Sequence, residues 1–519
     1  MSTPDHEVVV IGAGFGGIAT GVELRKQGIE DFVLLEKHAG IGGTWWANTY
    51  PGIAVDIPAI YYSFSYEPFR STRLFPPGHE VQAYAEHIVD KYGLRDRIRL
   101  GVTFTGAHWD DSTHLWHLDF ADGSRMTCRY LIPALGILEQ AKLPEIPGIE
   151  SFAGKIVHSA QWDHDFDYAG KRIAVIGTGA SGLQIIPEMA KIAGHLTVFQ
   201  RTPIWLAPKP DIRIDWGLDQ ALKRPALRKA VRYTIATALD AVLVVGVRAL
   251  SATPAAIPYV TKVAQGATRM WLRDKELADK LVPGYAPGCK RPSLSNEYFR
   301  TFKQKDRVSL VTEKMVEVTG NAVITADGTA HEIDVLVCAT GFRVCEKGFS
   351  PGMPIHGMNG RELGDYWHEN HYHAYEGVTV PGWPNLFLVC CGPNTIVPSS
   401  ILTTAENNAI LASRAIAAAR RRGSTRVEVR QQPFDDFARM CVERAEGSMW
   451  MASPCAGSNT YYVNYQNELA IRPTTVLSQW WAARFLRTGD FSFHALPSTV
   501  LAAPAGSTVE ADQVRAGVK

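Results

Sequence analysis

Two glycine-rich stretches, Gly12-Ala13-Gly14-Phe15-Gly16-Gly17 and Gly177-Thr178-Gly179-Ala180-Ser181-Gly182, carry the spacing that lets a backbone approach a pyrophosphate. A side chain at the key glycines would block the tight turn or hold the phosphates away, and the helix that follows each loop offers N–H groups and a positive dipole end. After the first loop the second strand ends in Glu36, an acid placed for the ribose hydroxyls of an adenosine. After the second loop the corresponding strand ends instead in Gln200-Arg201-Thr202. An acid there would repel a 2'-phosphate, whereas a guanidinium grips it bidentately, so the second site is expected to prefer the phosphorylated dinucleotide. Three further places hold reactive side chains without a spacing that fixes their task. Asp56 is a single carboxylate among apolar neighbours that must find a partner, Lys290-Arg291 is a basic pair between glycine and proline, and His158 stands between the two loops.

Longer patterns narrow the reading. Phe152-Ala153-Gly154 through His158 and Trp162-Asp163 has the form FxGxxxHxxxW, and Gly42-Gly43-Thr44-Trp45 through Tyr50-Pro51-Gly52 to Asp56 has the form GGxWxxxxYPGxxxD. Together with Ala339-Thr340-Gly341-Phe342 and Gly392-Pro393-Asn394-Thr395, they give a chain that resembles the type I Baeyer-Villiger monooxygenases from Glu7 to about Thr395. The resemblance implies FAD at the loop containing Gly12, Gly14 and Gly17, with Glu36, Thr44, Trp45, Asp56 and Tyr62 among its contacts. It implies NADPH at Gly177, Thr178, Gly179, Ser181 and Gly182, with Arg201, Thr202 and Lys290 at the 2'-phosphate end. Arg291 is then the catalytic residue beside the flavin, oriented by Asp56, while His158 and Trp162 couple the movements of two domains. The implied reaction uses O2 and a C4a-peroxyflavin to convert a small-molecule ketone to an ester or lactone. Its rivals are a flavin N- or S-oxygenase on the same scaffold, an NADPH oxidase or flavin reductase, and a non-catalytic nucleotide-sensing protein. Leu135 departs from the family's first crossing motif, and the segment Ser458 to Tyr465 lacks the family's Trp-Tyr pair.

The elements that must position these residues are those of an α/β protein with two Rossmann-like dinucleotide-binding domains and an inserted helical subdomain. Glu7–Ile11 and Arg172–Ile176 read as buried parallel strands, and Ile18–Gln27 and Leu183–Ala193 as the helices after the loops. Val102–Phe120 reads as a hairpin, Ile333–Phe342 as a buried strand, and Thr404–Arg422 as an alanine-rich helix. The expected division is a first FAD part over 1–150, a first NADP part over 151–204, the helical subdomain over 205–287, a second NADP part over 288–342, a second FAD part over 343–503 and a tail over 504–519. Trp205, Trp216 and Trp271 fall with apolar helical patterns in or near the insertion, while Tyr461, Tyr462 and Tyr465 are candidate pocket or packing residues.

Composition closes off other classes. The 519 residues exceed one compact core, and a net charge of +1 gives no reason to expect a nucleic-acid partner. The eight cysteines show no CxxC or metal-ligand spacing, so they are expected to be reduced cytosolic thiols, with no metal site and a cytoplasmic location. The longest apolar stretch, Tyr233–Val247, contains Asp240 and is too short to span a bilayer, so a buried or interfacial helix is expected.

Overall fold

The structure, a computed structural model, describes residues 3–496 except 215–216, 218–219, 222, 349–350, 396–399, 452–454, 456–459 and 461. Trp216, Ser458, Asn459, Tyr461 and the tail at 504–519 therefore lie outside the described residues.

The first sheet is built on β1 (His6–Ile11), whose Val8, Val9 and Val10 are fully buried, as a strand covered on both faces requires. It pairs in parallel with β2 (Phe32–Glu36) on one side and β6 (Arg125–Pro133) on the other, so that Val9 faces Val33 and Leu131. Beyond β2 lies β3 (Ile98–Leu100); beyond β6 lie β5 (Leu115–Phe120) and β4 (Phe104–Asp110), the expected hairpin, with β17 (Ile355–His356) at the edge. Residues 385–389 run alongside β6, their backbone bonded to Leu131 and Pro133. Helix α1 (Phe15–Lys26) follows the first glycine loop, and α2 (Thr44–Ala47) and α3 (Gly78–Lys91) lie beyond β2.

The second sheet is wholly parallel, in the order β12-β9-β8-β16-β7, from β7 (Lys155–His158), β8 (Arg172–Ile176), β9 (His195–Phe199), β12 (Val308–Val311) and β16 (Val335–Cys338). Helix α4 (Ala180–Ile192) follows its glycine loop. β10 (Leu206–Ala207) pairs with β11 (Ser293–Leu294) to close the base of the insertion, and β13 (Met315–Val318), β14 (Ala322–Thr325) and β15 (Ala330–Glu332) form a small meander. The insertion itself is helical: α5 (Pro225–Asp240), α6 (Val247–Ala252), α7 (Ile257–Leu272) and α8 (Lys275–Leu281).

Two chain crossings join the sheets, and they are zipped together. Lys142 N–H donates to Gly341 O at 2.9 Å and Arg343 N–H donates to Gln140 O at 2.9 Å. The helix expected from Thr404 runs from Ile401 to Arg421 as α9, and it packs its buried alanine face against α1. Its carboxylate Glu406 is buried and bonded to Ser65 and Arg484, tying the C-terminal region to the first sheet.

Candidate active site

Each glycine loop is shaped by close backbone approach. Gly12 has φ +105°, and a Cβ on it would stand 2.7 Å from Ala134 O; one on Gly17 would stand 1.9 Å from Gly12 O. The second loop repeats this, with φ +102° at Gly177 and prospective Cβ contacts of 2.4 Å to Ala339 O and 2.2 Å from Gly182 to Gly177 O. At Gly179 a Cβ would meet nothing within 4 Å, which leaves the space over this helix N-terminus open. Only glycine fits the closed positions, and each loop leads directly into a helix N-terminus, so both cradles suit a dinucleotide pyrophosphate.

The acid and the cations stand where the two dinucleotides would differ. Glu36 is buried at the end of β2 and accepts from Ala13 N–H at 2.8 Å and His38 N–H at 2.9 Å, leaving lone pairs on both oxygens for ribose hydroxyls. At the second loop, Arg201 and Lys290 converge although both are positive. Desolvation and then the nearby Arg201 charge lower the Lys290 pKa. Two cations held together at the end of a dinucleotide cradle form the donor set for a phosphate. Thr178 hydroxyl donates to Thr202 O at 3.3 Å, tying the loop to the Arg201 turn.

Between the cradles lies the stretch from Gly42 to Tyr62. Gly43 stacks against Gly14, and Gly42 N–H donates to Ala13 O at 3.0 Å, so the Thr44-Trp45 turn sits directly on the first loop. Trp45 Nε1–H donates to Tyr62 Oη at 2.9 Å, with the two rings edge to face. Burial raises the Tyr62 pKa and keeps it a neutral phenol; Asp56, Arg291 and Cys390 all act on it electrostatically, which places the four groups together. Cys390 arrives on the segment after 385–389, and Val389 packs close to Gly16.

The pair at the centre is Arg291 Nη2–H to Asp56 Oδ1 at 3.0 Å, joining residues 235 positions apart. Both side chains are about one third exposed (32% and 34%), so the pair contributes only about 0–1 kcal/mol to stability. What it fixes is the direction of the guanidinium.

A clasp that the sequence does not announce holds Asp56 in place. Tyr50 hydroxyl donates to Gln184 Oε1 at 3.3 Å and also engages Ser181, while Gln184 exchanges bonds with Ala54 N–H and C=O at 3.2 and 2.9 Å. The segment carrying Asp56 is thereby docked on α4 of the other sheet. Lys209, half-buried and within electrostatic reach of Asp56, is a second cation that sequence reasoning missed.

His158 and Trp162 are held by contacts of the second sheet and its crossing. His158 ends β7, is buried, accepts from Ala160 N–H at 3.1 Å and meets Phe342 of the second crossing edge to face at 6.0 Å. Burial lowers its pKa and favours the neutral ring. Trp162 stacks on Tyr168 at 5.1 Å in the same apolar cluster as Tyr50. Of the C-terminal tyrosines, Tyr462 is buried in packing with Leu469 and Ile471, and Tyr465 is 40% exposed.

One expectation is overturned. Cys289 and Cys455 form a disulfide, with Cα atoms 5.1 Å apart, so the cysteines are not all reduced thiols; Cys128, Cys338, Cys345, Cys390, Cys391 and Cys441 remain free. Spacing rules failed because the partners are 166 residues apart and meet only through the packing of Trp205, Tyr285 and Met449 around them. The bond ties the residue before Lys290-Arg291 to the C-terminal region. Alkylation of the denatured protein should modify six cysteines, and eight only after reduction. Cys455→Ser should lower stability by about 2–4 kcal/mol in a denaturant titration. Eight alkylated cysteines without reductant would contradict the linkage.

The fold and site define a protein with two dinucleotide cradles and an Asp56–Arg291 pair on a segment docked between the two sheets. Comparison with known proteins agrees. A family profile described as "Pyridine nucleotide-disulphide oxidoreductase" matches residues 9–226. A Baeyer-Villiger monooxygenase of Pseudomonas aeruginosa is 33% identical over 500 residues, covering 96% of this chain and 92% of that protein. Another of that name from Streptomyces coelicolor is 40% identical over 395 residues, covering 75% and 73%. Cyclohexanone monooxygenase from Rhodococcus sp. Phi1, solved with NADP+, superposes with a TM-score of 0.82 at 25% identity, covering 95% of this chain and 100% of that one. The chain belongs to the Baeyer-Villiger monooxygenase family, the FAD- and NADPH-dependent flavin monooxygenases. Among the described residues no helix is long and apolar enough to cross a membrane, and no group of His, Cys, Asp and Glu is arranged to hold a metal.

Proposed function

We propose that this enzyme converts a ketone to an ester or lactone, with one oxygen atom of O2 entering the product and the other leaving as water as NADPH is oxidised. The observation that carries the reading is the Asp56–Arg291 pair, held at the junction of the two cradles by residues from both sheets. FAD, when bound, supplies two-electron chemistry with NADPH and O2. The first sheet (1–150 and 343–503) takes FAD, with Glu36 on the ribose and Thr44, Trp45 and Tyr62 along the ring. The second (151–204 and 288–342) takes NADPH, with Thr178 and Ser181 in the pyrophosphate loop and Arg201, Thr202 and Lys290 at the 2'-phosphate.

Arg291 presents a permanent, planar positive charge where negative charge grows on the reacting oxygens, a task a guanidinium serves better than an ammonium. Asp56 accepts from Nη2 and fixes the plane of that group. The Tyr50–Gln184 clasp holds Asp56 only while the two sheets are docked, so the catalytic arginine is aligned in the docked state. His158, against Phe342 of the crossing, and Trp162, in the cluster that receives Tyr50, are positioned to transmit movement between the sheets. The six free thiols fit the expected cytoplasmic location, whereas the Cys289–Cys455 bond is of a kind rare in a reducing compartment.

Asp56→Ala tests this arrangement. It should slow both flavin reduction by NADPH and ester formation by roughly tenfold to a hundredfold, because a misdirected guanidinium loses geometry rather than charge. Rapid mixing with NADPH under anaerobic conditions, followed by aerobic product analysis, separates the two steps. Wild-type rates in both would remove Asp56 from the mechanism.

A further inference from the structure

The insertion carries a surface that the reaction does not use. Residues 220–273 contain nine Lys and Arg and a single acid, Asp240, in a chain whose net charge is only +1. Lys223, Arg224, Lys229, Arg248, Lys262 and Arg269 are exposed, whereas Arg232 is buried and spent on the carbonyls of Ile60 and Tyr61. Helix α7 is two-faced. Ile257, Thr268 and Leu272 are buried, and Ile257 packs in the cluster that surrounds Cys289. The opposite face bears Tyr259, Val263 and Met270, exposed by 72%, 56% and 72%.

At 100° per residue these three side chains fall within an arc of about 40°, with Lys262 and Arg269 along one border of it. Arg269 bonds Asp279 at 3.1 Å, but both are about half exposed, and such a pair exchanges readily for another anion. In the preceding helices Leu227, Tyr233 and Val242 are also exposed, at 42%, 45% and 68%. Large apolar side chains facing water along a helix mark a contact surface.

We infer that this face of the insertion docks on the surface of an anionic phospholipid bilayer, with Tyr259, Val263 and Met270 entering the headgroup–acyl boundary and the flanking cations meeting lipid phosphates. Charge decides among the occupants. A second copy would oppose two strongly basic surfaces, and a nucleic acid would leave the apolar stripe in water. An anionic bilayer satisfies both features at once and is the environment for which a basic amphipathic helix is built. The docking is peripheral, since no described helix can span. The inner face of α7 rests on the packing around the Cys289 loop, so the lipid surface would lie behind the element that carries Arg291 and offer a route for apolar ketones.

The test is co-sedimentation of the full-length, FAD-loaded enzyme with vesicles of phosphatidylcholine plus phosphatidylglycerol and with vesicles of phosphatidylcholine alone. The wild type should pellet with the mixed vesicles, stay in solution with the neutral ones, and be released by high salt. Tyr259→Ser/Val263→Ser/Met270→Ser should weaken the partition at least about tenfold, and so should Lys262→Glu/Arg269→Glu, taking about fivefold per basic residue lost. Both variants should oxidise NADPH in solution at the wild-type rate. Wild-type protein that ignores the anionic vesicles, or either variant binding them as tightly as wild type, would overturn the inference. So would a dimer in solution that the triple substitution dissolves, which would assign the face to contact between copies.

Discussion

Arg291→Ala is expected to abolish oxygen insertion, lowering ester formation by roughly 10²–10³-fold, the loss typical of removing one preorganised donor from a developing oxyanion. The expectation rests on geometry. Arg291 is directed by Asp56 at 3.0 Å, and it acts electrostatically on Tyr62, which sits on the first cradle beside Trp45. Because the pair is one third exposed, its loss should cost no more than about 1 kcal/mol of stability. The variant should therefore fold and retain FAD; it should oxidise NADPH slowly, as Asp56→Ala does, and release the electrons it does take as hydrogen peroxide. Arg291→Lys keeps the charge but loses the planar fork and should recover only part of the activity. Product quantified by gas chromatography beside NADPH consumption checks this, and an Arg291→Ala enzyme that still makes ester at wild-type rates would remove the arginine from the chemistry.

The second large effect concerns coenzyme choice. Arg201→Ala/Lys290→Ala should reduce kcat/KM for NADPH by roughly a hundredfold or more, since two charge-assisted contacts to one phosphate are lost at about 1.5–3 kcal/mol each. Efficiency with NADH, which has no 2'-phosphate, should change little. Burial and then the neighbouring Arg201 charge lower the Lys290 pKa, a like-charge cost that a bound phosphate relieves. Steady-state kinetics with both coenzymes decide it. Equal losses for NADPH and NADH would mean that these residues hold the loop rather than read the phosphate.

Much of this was legible in the residues because it depends on local geometry. The glycines at 12, 17, 177 and 182 are required by backbone oxygens a few residues away or on the neighbouring strand, and the runs at β1 and β8 are continuously apolar, as strands covered on both faces are. The helix expected over Thr404–Arg422 is observed over Ile401–Arg421, starting three residues earlier and ending one residue earlier. What was not legible depends on meetings between distant segments. Gln184 is an ordinary polar residue on α4 until Ala54 and Tyr50 are laid against it. Cys289 and Cys455 have no spacing signature, and the buried cluster around them had to form first. The stretch Tyr233–Val247, whose composition left it buried or interfacial, exposes Tyr233 and Val242, while the preceding Arg232 turns inward to the carbonyls of Ile60 and Tyr61.

The most direct measurement is the fate of isotopically labelled oxygen. The FAD-loaded enzyme is supplied with NADPH and ¹⁸O₂ and a panel of linear, cyclic and aromatic ketones together with sulfides and amines, and the products are weighed by mass spectrometry. The expected product is an ester or lactone carrying one labelled atom, formed in step with NADPH oxidation and lost in Arg291→Ala. Label appearing only in sulfoxides or N-oxides, or NADPH consumed with label only in hydrogen peroxide, would contradict it.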